Sequence, residues 1–256
     1  MTDIRSAHAW PDNAHMMADV FQLHVKPNAV VVDPTYGEGN FYTVSRPAGL
    51  IGHDKYKGPC FDGVDWGDLP EEDESVDVVV FDAPYVARGG RATSTITDMV
   101  DAFGMAYADA TPEALWANMT RGLDEAVRVL KPGGLVMTKA MWYVSSGQMQ
   151  NALQWYWNHI ESIGLKAYDW FIFVGEPGPQ PQFDKCKTCN GKAVDPNRIG
   201  IVQTFVMDDL DGTGHYDDEV CPKCQGAGGK PRRQVHARSN ASHLLIAQKP
   251  KRRGKK

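Results

Sequence analysis

Ala29-Val30-Val31-Val32-Asp33-Pro34-Thr35-Tyr36-Gly37-Glu38-Gly39-Asn40 joins a short, unbroken apolar run to a turn holding two glycines. A run without polar alternation suits a strand buried on both faces, and such strands belong to parallel sheets covered by helices. Gly37 and Gly39 leave room for a ligand to approach the backbone at the strand's carboxyl end. On the N-terminal side, residues 11–24 carry Met16, Met17, Val20, Phe21 and Leu23 between Pro11 and the Lys26-Pro27-Asn28 break, which predicts an amphipathic helix. On the C-terminal side, Leu50-Ile51-Gly52-His53-Asp54 predicts a second strand. It ends in an acid 21 residues beyond Asp33, the spacing of the ribose-binding acid in nucleotide-binding βαβ units.

The pattern continues. Val64-Asp65-Trp66 predicts a short third strand, Val76-Asp77-Val78-Val79-Val80-Phe81 a fourth, and Gly134-Leu135-Val136-Met137-Thr138-Lys139 a fifth. Between the last two, Thr111 as cap and Pro112 in the first turn open a helix with Leu115, Met119, Leu123, Ala126 and Leu130 on its core face, closed by Lys131-Pro132-Gly133-Gly134. Met149, Leu153, Tyr156, Ile160 and Ile163 predict another helix, and residues 167–174 a sixth strand. The proline-rich stretch 175–182 reads as a hinge, and Ser242–Gln248 as a last strand. The expected fold is therefore α/β and Rossmann-like: a seven-stranded, mostly parallel sheet with a small module inserted between its last two strands. The boundaries are 1–174 for the core, 175–238 for the insert, 239–249 for the last core strand and 250–256 for a basic tail.

Asp82-Ala83-Pro84-Tyr85 follows the fourth strand, where a buried strand delivers residues to the open edge of the sheet. An acid and the next carbonyl can accept the two protons of a planar NH2 group, while the aromatic ring stacks on the attached heterocycle. The competing reading is a plain strand-to-loop turn, with Pro84 ending the strand and Tyr85 packing on the rim.

At 256 residues, 42% hydrophobic and 23% charged, the chain has the composition of a globular protein, neither disordered nor collagen-like. No signal-peptide pattern or membrane-length apolar run is present, so a cytoplasmic protein without membrane partners is expected. The net charge of −5 conceals an asymmetry: residues 1–175 hold 12 Lys/Arg against 23 Asp/Glu, and residues 176–256 hold 15 against 9. The basic C-terminal part suits a polyanion, or a solvated tail. Cys186 and Cys189 form one Cys-x-x-Cys pair, Cys221 and Cys224 another. In a chain without signs of secretion, four thiolates in two knuckles point to one structural Zn2+, with His215 able to replace a ligand. Cys60 reads as a small buried hydrophobe.

Taken together these motifs resemble a class I S-adenosylmethionine-dependent methyltransferase, and specifically the DNA amino-methyltransferases, whose signature is an acid or Asn followed by Pro-Pro and an aromatic. The resemblance covers roughly residues 12–174 and 240–249. It implies S-adenosyl-L-methionine as cofactor, its methionine part held by the turn of Asp33, Pro34, Tyr36, Gly37 and Gly39. It further implies its ribose on Asp54 and its adenine on Asp65 with Trp66 beside the ring. Asp82, Ala83, Pro84 and Tyr85 become the catalytic set, acting on a DNA base flipped out of the duplex, adenine N6 before cytosine N4. The alternatives are RNA guanine-N2 or protein-glutamine methylation on the same fold, or a non-catalytic zinc-containing nucleic-acid binder. Ala83 stands where the family has its first proline, and Tyr36 and Glu38 replace smaller residues.

Overall fold

The computed structural model describes residues 10–56, 58–84, 87, 111–145, 148–175, 183–185, 201–207, 214–220, 229–231 and 241–252. For Val144 and the strands between 183 and 231 it describes the backbone only. Two compact units form, Met1–Glu176 with Arg238–Lys256, and Pro177–Ala237.

In the first unit, helix α1 (Asn13–His24) precedes strands β1 (Val30–Asp33), β2 (Gly49–Gly52) and β3 (Val76–Phe81). Helix α2 (Pro112–Val129), strand β4 (Leu130–Ala140), a hairpin of β5 (Trp142–Ser145) and β6 (Gln148–Asn151), helix α3 (Ala152–Ser162) and strand β7 (Lys166–Val174) follow. The second unit holds β8 (Phe183–Lys185), β9 (Ile201–Met207), β10 (Gly214–Val220) and β11 (Gly229–Pro231), after which β12 (Ala241–Gln248) returns to the first.

The main sheet has the order β2-β1-β3-β4-β12-β7. β1, β2, β3 and β4 run parallel, and β12 lies antiparallel between β4 and β7. β7 therefore points the same way as β1 to β4. This is a Rossmann-like α/β arrangement, with six strands among the described residues instead of the expected seven.

The missing one is Val64-Asp65-Trp66, where only an isolated bridge between Asp65 and Asp68 forms. Gly63 sits at φ +78° before it. The Asp65 carboxylate folds back to accept the Gly67 N–H at 2.8 Å, a turn chemistry that competes with a ladder. Met149 is likewise corrected, since it lies half-exposed on β6 rather than on α3.

Helices cover both faces, as the apolar runs require. Leu115, Met119 and Leu123 of α2 and Tyr156 and Ile160 of α3 pack on Val79, Phe81 and Val136. Met16, Met17, Val20 and Phe21 of α1 pack on Val31, Val78, Val80 and Met137. Each such fully buried side chain contributes about 1.5–3 kcal/mol. Thr111 caps α2 as expected, accepting the Ala114 N–H, and Asp12 caps α1, accepting the His15 N–H.

In the second unit β8 pairs with β11 and β9 with β10, both antiparallel. Lys185 lies opposite Gly229, and Val220 opposite Ile201. Among the described residues no helix is long and apolar enough to cross a membrane.

Candidate active site

A cavity of about 430 Å3 opens at the carboxyl edge of the sheet, where β1, β3 and β4 end. Its lining combines Asp33, Thr35, Tyr36 and Gly37 of the glycine turn with Asp82, Ala83 and Pro84. The two loops that the sequence singles out thus share one cavity. Thr35 ties them together. Its hydroxyl donates to Asp33 Oδ1 at 2.8 Å and accepts the Asp82 N–H at 2.9 Å.

Asp33 is buried and saturated. It accepts from the Thr35 N–H, the Thr35 hydroxyl and, at 2.6 Å, the Tyr42 hydroxyl. Burial outweighs these bonds and pushes its pKa up to about 6. Asp82 is half-buried, and among the described residues no donor reaches its carboxylate. Burial raises its pKa, while the Lys139 ammonium pulls the other way. Ala83 is buried, and Tyr85 lies outside the described residues.

The residues that the sequence pattern assigns to adenosine are arranged differently. Asp54 accepts the Gly37 N–H at 2.9 Å with one oxygen and the Tyr56 N–H with the other. Asp65 is paired with Lys55 at 2.6 Å and Arg121 at 2.9 Å. Burial would raise its pKa, but the Lys55 bond, the Gly67 amide and Arg121 hold it below the usual carboxylate range. Trp66 meets Phe81 edge-on at 5.9 Å, and its buried indole N–H has no partner. None of the three lines the cavity.

Pro34 and Gly39 are buried behind the turn. Gly39 has φ +73°, and a Cβ there would stand 2.6 Å from the Tyr36 hydroxyl. At Gly52 it would stand 2.5 Å from the Tyr36 ring. Tyr36, stacked on Tyr42 at 5.3 Å and bonded by the Arg46 guanidinium, therefore occupies the space that these two glycines leave. Glycine at 39 and 52 serves the protein's own packing here, a use that a Gly-x-Gly pattern cannot distinguish from ligand approach.

Sequence reasoning missed Asn13, Phe41, Lys139 and Met141, which also line the cavity. The Asn13 Oδ1 is buried without a partner. The signal for Lys139 was present, since a lysine at the end of an apolar strand is anomalous. Met141 leads directly to Trp142, which with Asn151, Gln154, Trp157 and Trp170 lines a separate groove of about 260 Å3. Trp142 and Trp170 are half-exposed and flank His243, with ring centroids 6.5 and 5.5 Å from it.

Of the basic tail, residues 250–252 are described: Arg252 pairs with Glu74 at the opposite, amino edge of the sheet, where Lys249, just before the tail, donates to the Val127 and Leu130 carbonyls. Among the described residues no group of His, Cys, Asp or Glu could hold a metal. Cys186, Cys189, Cys221 and Cys224 lie outside the described residues. In sequence they occupy the two stretches that link one ladder of the second unit to the other. Cys60 is free and packs against the α1 side of the core, but is half-buried rather than buried as expected.

No protein-family model and no curated protein matches the sequence. Similar solved structures include a SAM-dependent O-methyltransferase of Thermotoga maritima, at 12% identity over 98% of this chain and 69% of that one, with TM-score 0.41. The 1,6-didemethyltoxoflavin-N1-methyltransferase of Burkholderia thailandensis shares 10% identity over 94% of this chain and 79% of its own, with TM-score 0.44. A Thermus thermophilus protein provisionally assigned as a DNA modification methylase shares 12% over 75% and 55%, with TM-score 0.38. At these scores the likenesses carry no argument about chemistry. The fold rests on its own strand order, and the function on the cavity.

Proposed function

We propose that the chain is an S-adenosylmethionine-dependent methyltransferase acting on an exocyclic amino group of a nucleic-acid base, DNA adenine N6 before cytosine N4. The observation that carries this reading is the shared cavity. Thr35 bonds the glycine turn to the Asp82 turn, so donor and acceptor would meet across one pocket.

S-adenosylmethionine, when bound, supplies a methyl already activated on a sulfonium. The methionine end fits the cavity: Asn13 offers an unpaired buried oxygen, and the carboxylates Asp33 and Asp82 outnumber the one cation of the lining, Lys139. Asp82 and the Ala83 carbonyl would accept the two protons of the target NH2, with Pro84 fixing the turn. That geometry favours a pyramidal nitrogen, frees a lone pair otherwise delocalised into the ring, and stabilises the positive charge developing there. Tyr85 is assigned to stack on the flipped base.

A nucleic-acid acceptor is favoured by the half-exposed rings of Trp142, His243 and Trp170, in a groove separate from the cavity, which suit stacking of unpaired bases. In the second unit, the ladder register puts the two cysteine-bearing links at a common end of each ladder, which suits one Zn2+ on Cys186, Cys189, Cys221 and Cys224. We assign this unit to target recognition. Metal analysis should give one zinc per chain, and Cys→Ser at any of the four should lower that content.

One observation favours a second reading. With Tyr36 filling the glycine cradle and Asp65 held by Lys55 and Arg121, the adenosine end lacks an open acceptor, as a non-catalytic nucleic-acid binder would. Calorimetry with S-adenosylmethionine decides between them, since the second reading gives no heat. Transfer of labelled methyl to duplex DNA, single strands, tRNA and protein in parallel tests the substrate. Incorporation into duplex adenine is expected, and exclusive labelling of tRNA or protein overturns the DNA assignment.

A further inference from the structure

Lys139 is a lysine almost without solvent, 6% exposed, at the end of a strand in the middle of the sheet. β3 and β12 flank β4 on either side, so the side chain has no lateral route to water. It lines the candidate cavity, with its ammonium over the Phe41 ring, 5.3 Å from the centroid. Among the described residues it makes no hydrogen bond and closes no ion pair within 4 Å. A buried ammonium in that condition requires a counter-charge nearby.

The register identifies it. Phe81 pairs with Thr138 in the parallel β3–β4 ladder, so Asp82 and Lys139 are the next rung of neighbouring strands. The other charged or titratable groups around the cavity come from the glycine turn and the short helix after it: Asp33, Glu38, and the Tyr36 and Tyr42 phenols. α1 contributes the uncharged Asn13. Asp33 already accepts three hydrogen bonds and Glu38 is exposed to solvent, which leaves Asp82 as the anion beside Lys139 whose carboxylate has no partner among the described residues.

We propose that Lys139 is the counter-charge that keeps Asp82 anionic, and so a positioning residue for the acceptor amine. The inference rests on the functional reading above. Protonated, Asp82 would present an O–H to an N–H donor, and the grip on the amine would fail. An ammonium in direct contact would keep the acid ionised but occupy its oxygens. Held back on the Phe41 face, Lys139 acts through space and leaves both Asp82 oxygens to the substrate. The opposing effects of burial and Lys139 on Asp82 agree with this division of labour.

The test is the titration of Asp82 itself, by 13C NMR of carboxyl-labelled full-length protein, with Asp82→Asn assigning the resonance. Lys139→Met removes the charge and keeps the chain length; Lys139→Arg keeps the charge. Asp82 should titrate about one pH unit or more higher in Lys139→Met, and near the wild-type value in Lys139→Arg. The acid limb of methyl transfer should move up by the same interval in Lys139→Met, with the rate recovering at higher pH. An unchanged Asp82 titration, or a rate loss equal at every pH, overturns the proposal. Should Lys139→Met not fold, Lys139→Gln carries the same measurement. If the wild-type protein methylates nothing, the functional reading fails, while the NMR titration still decides whether Lys139 sets the charge of Asp82.

Discussion

The carboxyl edge of the sheet has two ends that the same sequence logic treats alike and the tertiary structure treats in opposite ways. At one end Asp82 stands in a cavity with no described donor, opposite a buried lysine that does not touch it. At the other, Asp54 and Asp65 are acids at the expected positions whose oxygens bind the protein's own amides and cations. The difference teaches that an acid after a strand is a ligand candidate only when its own fold leaves it unspent. Asp65 illustrates why: Lys55, Arg121 and the Gly67 amide all reach it.

The largest expected effect sits at the unspent end. Asp82→Ala should lower methyl transfer by roughly 10²–10³-fold with S-adenosylmethionine binding retained, measured by single-turnover transfer beside calorimetry. Full activity in that variant would remove the distinction between the two ends.

Next is Asp33, which is close to Asp82 but spent on Thr35 and Tyr42. Its folded pKa, about 6, lies above the unfolded value, so the native state binds the proton more tightly. Stability is then favoured below about pH 4, falls as pH rises from about 4 to 6, and carries the full penalty above that, up to about 3 kcal/mol. Denaturant melts of Asp33→Asn against wild type should show the variant gaining relative stability across that window. Parallel curves would mean that Asp33 is solvated as freely as a surface acid.

Gly39→Ala should destabilise by roughly 1–3 kcal/mol, because φ +73° strains any side chain and the Cβ meets Tyr36. Combined with Tyr36→Ala, part of that cost should vanish in a double-mutant cycle. Strict additivity would show that Gly39 does not serve the tyrosine.

The smallest effect is expected at Asp65. Its pairs are partly exposed, so Asp65→Ala should cost about 1 kcal/mol or less in thermal stability. Affinity for S-adenosylmethionine should change less than tenfold. A complete loss of affinity would instead show that ligand binding frees Asp65 from Lys55 and Arg121, and the two ends would be alike after all.

Much of the fold was legible because burial on both faces writes itself as apolar runs. β1, β3, β4 and β12 each follow one, and the helices keep most of their apolar stripes. Val64-Asp65-Trp66 failed because a strand needs partners for its backbone, and Asp65 offered the Gly67 amide a local one. Met149 failed because its spacing continues the α3 stripe one turn beyond where the chain turns into a hairpin. In the site, Asp82 and the glycine turn were legible as motifs, whereas the roles of Thr35 and Lys139 were not, since each depends on a neighbour about 50 residues or more away.

Local periodicity and turn chemistry in the sequence by themselves determined most of the segments that become strands and helices, and which acids reach the carboxyl edge. Only the tertiary structure decided which of those acids are used up, because hydrogen bonds, ion pairs and desolvation are set by residues that meet in space after the sheet has formed. Tyr36 filling the gap above Gly39 and Gly52, and Lys139 held beside Asp82, are both products of that meeting.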